Sequence, residues 1–243
     1  MFALPSISAK EQHEKQFGIA TTKKEKVEKV LDQKDFTPYA WLVLGILLAV
    51  RIAHGVNQAQ LGYIFGFKGD GLKAGDPVFE MRSAFPTMQE NYSLLSGPAF
   101  SISYSVAGIF MGLLVDKVNR KTLLSIACIG WSITSLVSGS TNSFLVLCLM
   151  RFITGMCVSA TEPAAFSILG DYFPKRLRTT ANSVMNTATY VGSGLASLIV
   201  LIVAQYGWRS AYLGVGAISL ALGVIAFVFV KEPERGIQLK LAF

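Results

Sequence analysis

The chain has 243 residues, of which 52% are hydrophobic and only 15% charged, with a formal net charge of +7. Soluble domains carry roughly 25% charged residues, so this composition argues against a soluble fold and for an integral membrane protein. Cys128, Cys148 and Cys157 lie inside apolar runs and suggest no disulfide framework, and His13 and His54 are too far apart for a zinc site; no metal, cofactor or enzyme active site is expected.

Residues 1–37 are a polar block in which Lys10, Lys15, Lys23, Lys24, Lys26, Lys29 and Lys34 alternate with Glu11, Glu14, Glu25, Glu28, Asp32 and Asp35. That mixture fits neither a secretory signal nor a transit peptide, and a solvated tail is expected. Lys24/Glu28 and Glu25/Lys29 stand four apart, a spacing that permits a short surface helix. Six apolar runs follow, near 39–60, 94–115, 122–140, 144–169, 181–205 and 210–230. Each is near the roughly 20 residues a helix needs to cross hydrocarbon. They lack the polar faces that helices of a soluble bundle would present. The fold class is therefore an all-α membrane protein with six transmembrane helices over residues 38–231, both termini on one side and a C-terminal tail at 232–243.

Segment 61–92 reads as a long loop between the first two spans, because Gly62, Gly66, Gly69, Gly71, Gly75 and Pro77 break regular structure. Nothing in it resembles a phosphate-binding loop. Asn91-Tyr92-Ser93 is formally a glycosylation acceptor, expected to be unused so close to the second span. Sixteen lysines and arginines fall on the side of the termini and four, Lys68, Lys73, Arg82 and Arg209, on the other. The positive-inside rule then places the termini in the cytosol or its topological equivalent. The positive charge is a topology signal, and no nucleic-acid partner is expected.

The second and third runs are joined by Gly112-Leu-Leu-Val-Asp116-Lys-Val-Asn-Arg120-Lys121, whose acid and three bases fit a membrane surface, with Gly112 expected to let two backbones approach. Asp171, in Asp171-Tyr-Phe-Pro-Lys-Arg-Leu-Arg178, returns to the same face as Asp116 and Arg120, which allows a charge cluster across two loops. Inside the first run, Arg51, His54 and Gln58 are spaced to share one helical face, with Asn57 beside them. A mid-bilayer charge costs about 2.5–3.5 kcal/mol on insertion scales, so this face should avoid lipid, either lining a pathway or tying helices together. The fourth run carries Arg151 and Glu162, about 16 Å apart along the axis and too distant to pair. Arg151 is near enough to the span's start to snorkel toward headgroups. Glu162 either pairs with Arg51 or His54 or serves proton coupling, beside a local break at Pro163. Gly192, Gly194 and Ala196 offer a small-residue packing surface.

These motifs, in this order, resemble the amino-terminal half of a major facilitator superfamily transporter, and its spinster-like branch in particular. The resemblance rests on the Gly112–Lys121 joint, Arg151-Phe-Ile-Thr-Gly155, Asp171, Gly192-Ser-Gly194-Leu, Trp208-Arg209 and Lys231-Glu-Pro-Glu-Arg-Gly236, and covers about residues 39–236. It implies that helices one and four line a substrate cavity, two and five face a second half, and three and six lie outermost. It also implies a cytosolic charge network of Asp116, Arg120 and Asp171, to which Arg178 is near, and a lysolipid or small organic solute moved by alternating access. The chain departs from the family pattern at Val158, where a glutamate is usual, and at Tyr190, where a proline often stands. It also contains one half where a facilitator needs two. The substrate and ion pathway candidates are Arg51, His54, Asn57, Gln58, Arg151 and Glu162. The expected partners are membrane lipid and a second six-helix half, a second copy or a larger membrane complex; the alternative is a half-length accessory subunit of such a complex.

Overall fold

A computed structural model describes residues 38–233, and the expectations for residues 1–37 and 234–243 lie outside them. The helices are α1 (Pro38–Gly66), α2 (Met81–Ala84), α3 (Met88–Ser96), α4 (Pro98–Val115), α5 (Arg120–Ser140), α6 (Phe144–Tyr172), α7 (Lys175–Leu195), α8 (Ile199–Tyr206) and α9 (Trp208–Phe229). Among the described residues, six helical stretches are long and apolar enough to cross a membrane: α1, Glu90–Val115 across α3 and α4, α5, α6, Arg176–Tyr206 across α7 and α8, and α9. At 29 residues, α1 and α6 are each roughly 43 Å long, well beyond a hydrocarbon core of about 30 Å. Their ends therefore have length to spare for contacts outside the apolar layer.

Local chemistry sets the boundaries. Asn119 caps α5, its Oδ1 accepting from the Thr122 N–H at 2.9 Å and the Thr122 hydroxyl at 3.0 Å. Gly207, at φ 85°, makes the turn between α8 and α9 in a conformation that a side chain would strain. Pro163 lies inside α6 without ending it, so the expected local break is absent: neighbouring helices hold the segment in register although the proline forfeits one backbone bond.

The helices zip together in three close pairs, α1 with α7, α4 with α6, and α5 with α9, while α5 also packs on α6 and α1 on α9. Small residues make each close approach possible. A Cβ on Gly192 would strike the Ile52 carbonyl and press on Gly55, one on Gly155 would strike Ser103 and the Phe100 carbonyl, and one on Gly216 would crowd Leu136. The expectation of backbone contact at Gly112 fails within this chain, because nothing lies within 4 Å of that position, and the same holds for Gly194. Gly192 alone of that pair of glycines is the packing residue.

Segment 61–92 is more ordered than its glycines suggest. The helix α1 continues to Gly66, and α2 and the start of α3 fall inside the segment. What remains is a strap folded over one end of the bundle, here called the strap end. The Trp208 N–H donates to the Val78 carbonyl at 3.3 Å and its indole Nε1 to Pro77 at 3.0 Å. Lys73 Nζ donates to the Ala204 carbonyl, and Arg82 Nε to the Phe65 carbonyl at 2.8 Å. Met81 and Phe85 enter an apolar cluster with Leu61, Ile64, Trp208 and Tyr212. Glu80 organises the strap from within: its carboxylate accepts the Gly69 N–H at 2.8 Å, and backbone bonds from Gly69 and then Gly75 hold its pKa below the ordinary carboxylate value.

Candidate functional site

The α1 sequence puts polar side chains three residues apart, and the fold buries four of them. Arg51, His54, Asn57 and Gln60 are between 1% and 5% exposed. Each step of three turns by about −60° around the helix, so the row winds from the α6 side at Arg51 to the α5 side at Gln60. Gln58, expected on the buried face, is instead exposed, and Gln60 takes the buried place because α1 is enclosed on several sides.

Arg51 and Glu162 meet across α1 and α6, with Nη2 and Oε1 2.5 Å apart. The Tyr104 hydroxyl of α4 donates to the other carboxylate oxygen at 3.4 Å. Arg51 Nη1 lies 3.5 Å from His54 Nδ1, and the guanidinium stands 5.9 Å above the Phe166 ring. The two charges are unequally dry: the Arg51 side chain is 6% exposed and that of Glu162 33%. The arginine is therefore the fixed member and the carboxylate the one that water reaches. Val158, at the place where the family pattern has a glutamate, is buried among apolar side chains, and Glu162 sits one turn further on.

Arg151 does not snorkel. Its Nη2 donates to the Gln58 carbonyl at 3.4 Å and its guanidinium lies 5.6 Å over the Phe100 ring, which turns it inward between α1 and α4. No ion pair reaches it among the described residues.

At the end opposite the strap, here called the hinge end after the Gly112–Lys121 joint, Arg120 is the centre of a second cluster. Its Nη1 reaches Asp171 Oδ2 at 2.6 Å, the Ser167 hydroxyl at 2.8 Å and the Ser167 carbonyl at 3.0 Å. Its Nε lies 3.5 Å from Glu232, whose other oxygen accepts the Lys121 N–H at 2.8 Å. Asp116 is exposed at the C-cap of α4, and Arg178 donates to the Gly170 carbonyl at the end of α6. Glu232 escaped the sequence reading as a member of this cluster, although it is an acid at the exit of the last span on the same face as Arg120. Tyr39 and Tyr172 escaped it too: the Tyr39 hydroxyl donates to the Phe229 carbonyl at 2.7 Å and accepts the Lys231 N–H at 2.8 Å, while the Tyr172 hydroxyl donates to the Lys231 carbonyl at 2.9 Å. The exit from α9 is thereby clasped to α1, α5 and α6. Tyr104 is a further omission, signalled only by one phenol within an apolar run.

The arrangement is one of membrane-embedded, paired charges between helices with a charged lock at one end, and three comparisons bear on it. The profile described as Major Facilitator Superfamily matches residues 81–242. The gallate transporter of Pseudomonas putida is 24% identical over 212 residues, 84% of this chain and 43% of that protein. The sphingosine-1-phosphate transporter SPNS2 of Danio rerio is 33% identical over 163 residues, 65% of this chain and 32% of that protein. A solved bacterial homolog of the human lysosomal transporter Spinster, inward-facing and unoccupied, superposes with a TM-score of 0.72 at 23% identity, covering 82% of this chain and 45% of that one. The chain thus spans less than half the length of these relatives, its six helices have the facilitator fold, and its sequence places it plainly: it belongs to the major facilitator superfamily.

Proposed function

We propose that this chain is a transport-competent six-helix half that moves an organic anion, either a small carboxylate or a lysolipid with an anionic head, by alternating access. The observation that carries the reading is the charge balance of the interior. Arg51 is neutralised by Glu162, whereas Arg151 is held by a carbonyl and an aromatic face, with no ion pair among the described residues. An inward-turned cation without a counter-charge favours an anionic ligand, because a charge in a low-dielectric interior is stabilised by an opposite one. The two relatives named above carry a carboxylate and a phosphate compound respectively, which agrees with that sign.

In this reading Arg51, His54, Asn57, Gln58, Arg151 and Glu162 border the solute and ion path. Asp116, Arg120, Asp171 and Arg178, with Glu232, hold the hinge end closed in one access state. The hinge end, where the cations concentrate, faces the cytosol or its equivalent. A second six-helix half completes the passage, since rocking about a midplane site requires two, and in a purified preparation a second copy of the chain can supply it. Val158 and the single half are the features that suit the accessory-subunit alternative, but the relatives named above are transporters and lend it no support.

The test is flux. The purified chain in liposomes, with gallate and with sphingosine-1-phosphate as probes, should show saturable uptake of at least one, lost in Arg151→Met. No flux above empty liposomes for either probe removes the reading of this half as transport-competent with a second copy of itself.

A further inference from the structure

Two hydrogen-bond assignments along α1 follow from chemistry alone. An arginine only donates, so where Arg51 Nη1 meets His54 Nδ1, the histidine nitrogen must be the acceptor. Neutral His54 then carries its proton on Nε2, which is buried with no partner. Opposite Gln60, six residues on, the Ser135 hydroxyl of α5 spends its proton on the Tyr212 carbonyl at 3.1 Å and has only lone pairs left to offer. The group Gln60 turns toward Ser135 at 3.5 Å is therefore its NH2, leaving Gln60 Oε1 as a buried acceptor without a partner.

A stranded donor and a stranded acceptor thus lie on one helix, about 9 Å apart along its axis, with buried Asn57 midway. Arg51 Nε adds a second unpartnered donor at the Glu162 end of the row. At the other end Leu61 and Ile64 belong to the apolar cluster under the strap, so the row is stopped there by hydrocarbon. A blind polar row with donors at one end and an acceptor at the other suits water, which gives and accepts, and which buried polar groups recruit in other proteins. The Arg51–Glu162 pair, one third exposed on its carboxylate side, is the open end.

We infer that His54, Asn57 and Gln60 form an internal hydration site holding ordered water, with His54 neutral and protonated on Nε2. This water joins the Arg51–Glu162 pair between α1 and α6 to Ser135 on α5 and, through Ser135, to the Tyr212 carbonyl on α9. The site holds whether or not the chain moves a solute.

X-ray hydroxyl-radical footprinting of the full chain in nanodiscs tests it, because bound water generates radicals in place. Corrected for intrinsic reactivity, His54 should be labelled several-fold faster than Phe173, an equally buried residue in an apolar setting. Labelling no faster than that of Phe173 overturns the hydration site. Nitrogen NMR of His54 should find Nε2 protonated and Nδ1 bare; the opposite tautomer or the imidazolium overturns the assignment. Gln60→Leu removes the far acceptor and should bring His54 labelling down toward that of Phe173, and unchanged labelling in a normally folded variant counts against the row. If Gln60→Leu does not fold, the two measurements on the unaltered chain still decide.

Discussion

The Arg51–Glu162 pair shows how unequal burial makes two partners unequal in their effects. Deleting Glu162 strands a guanidinium that is almost wholly buried, whereas deleting Arg51 leaves a carboxylate that water already reaches. Glu162→Leu is therefore expected to lower the melting temperature of the detergent-solubilised chain more than Arg51→Leu does. The double variant should lose less than the two single losses together, by a coupling of about 0.5–3 kcal/mol, toward the lower end because the carboxylate is solvent-screened. Melting curves of the three variants check this, and the reverse order of the single variants contradicts it. Glu80 gives a prediction with a pH sign. Its carboxyl pKa is lowered in the folded strap, so its contribution is complete above the ordinary carboxylate value of about 4.5 and lost only as pH falls through the depressed value. Protease resistance of segment 67–87 should hold from neutral to mildly acidic pH and fail only in stronger acid, while Glu80→Gln should already be cleaved faster at neutral pH. Sequence pattern exposed some of these residues and hid others for a definite reason. A charge inside an apolar run is conspicuous, so Arg51, Arg151 and Glu162 stood out; Gln60 and Tyr104 did not, since a neutral polar group gains significance only from what the fold places beside it.

At the scale of the helices, stability rests on close approaches between small residues, and two neighbouring glycines of α7 separate that role from mere flexibility. Gly192 lies against Ile52 and Gly55 of α1, so a methyl group there forces the helices apart. Gly192→Ala should cost about 1–3 kcal/mol or more, as overpacking does in dense interiors. Gly194 faces open space, and Gly194→Ala should be neutral or stabilise by up to about 1 kcal/mol through helix propensity. Thermal unfolding of the two variants side by side checks the contrast, and equal losses would contradict the packing described. Both glycines look alike in the sequence. The hydrophobic runs placed six helices within about six residues of their observed bounds, because crossing hydrocarbon demands length and apolarity that composition cannot disguise. The strap was illegible for the opposite reason: its order comes largely from Trp208 and Ala204, both distant from it in the chain, and its glycines point only to turns.

For the whole molecule the question is which outward faces meet lipid. The exposed residues of α5 and α9 include Ile126, Phe227 and Val228, as suits hydrocarbon contact. The helix α7 is different: Thr179, Thr180, Ser183, Asn186 and Thr187 are exposed along it within a segment long and apolar enough to span the membrane. The Thr187 hydroxyl donates to the Ser183 carbonyl at 2.9 Å, but the Asn186 amide turned toward acyl chains would lose its hydrogen bonds to water without replacement. That face is therefore expected to border an aqueous passage or another polar helix, in keeping with a second half seated against α4 and α7. The experiment uses a chain in which Cys128, Cys148 and Cys157 are replaced by alanine and one cysteine is returned at a time, in native membranes. Asn186→Cys should react rapidly with a small hydrophilic thiol reagent, or form a cross-link to a neighbouring polypeptide, whereas Phe227→Cys should do neither. Water alone at the face gives the first result and a packed partner gives the second, so the two outcomes also distinguish an open passage from a closed contact. If Asn186→Cys is as inert as Phe227→Cys, the polar face of α7 lies in lipid, and a second half on that side of the bundle is ruled out with it.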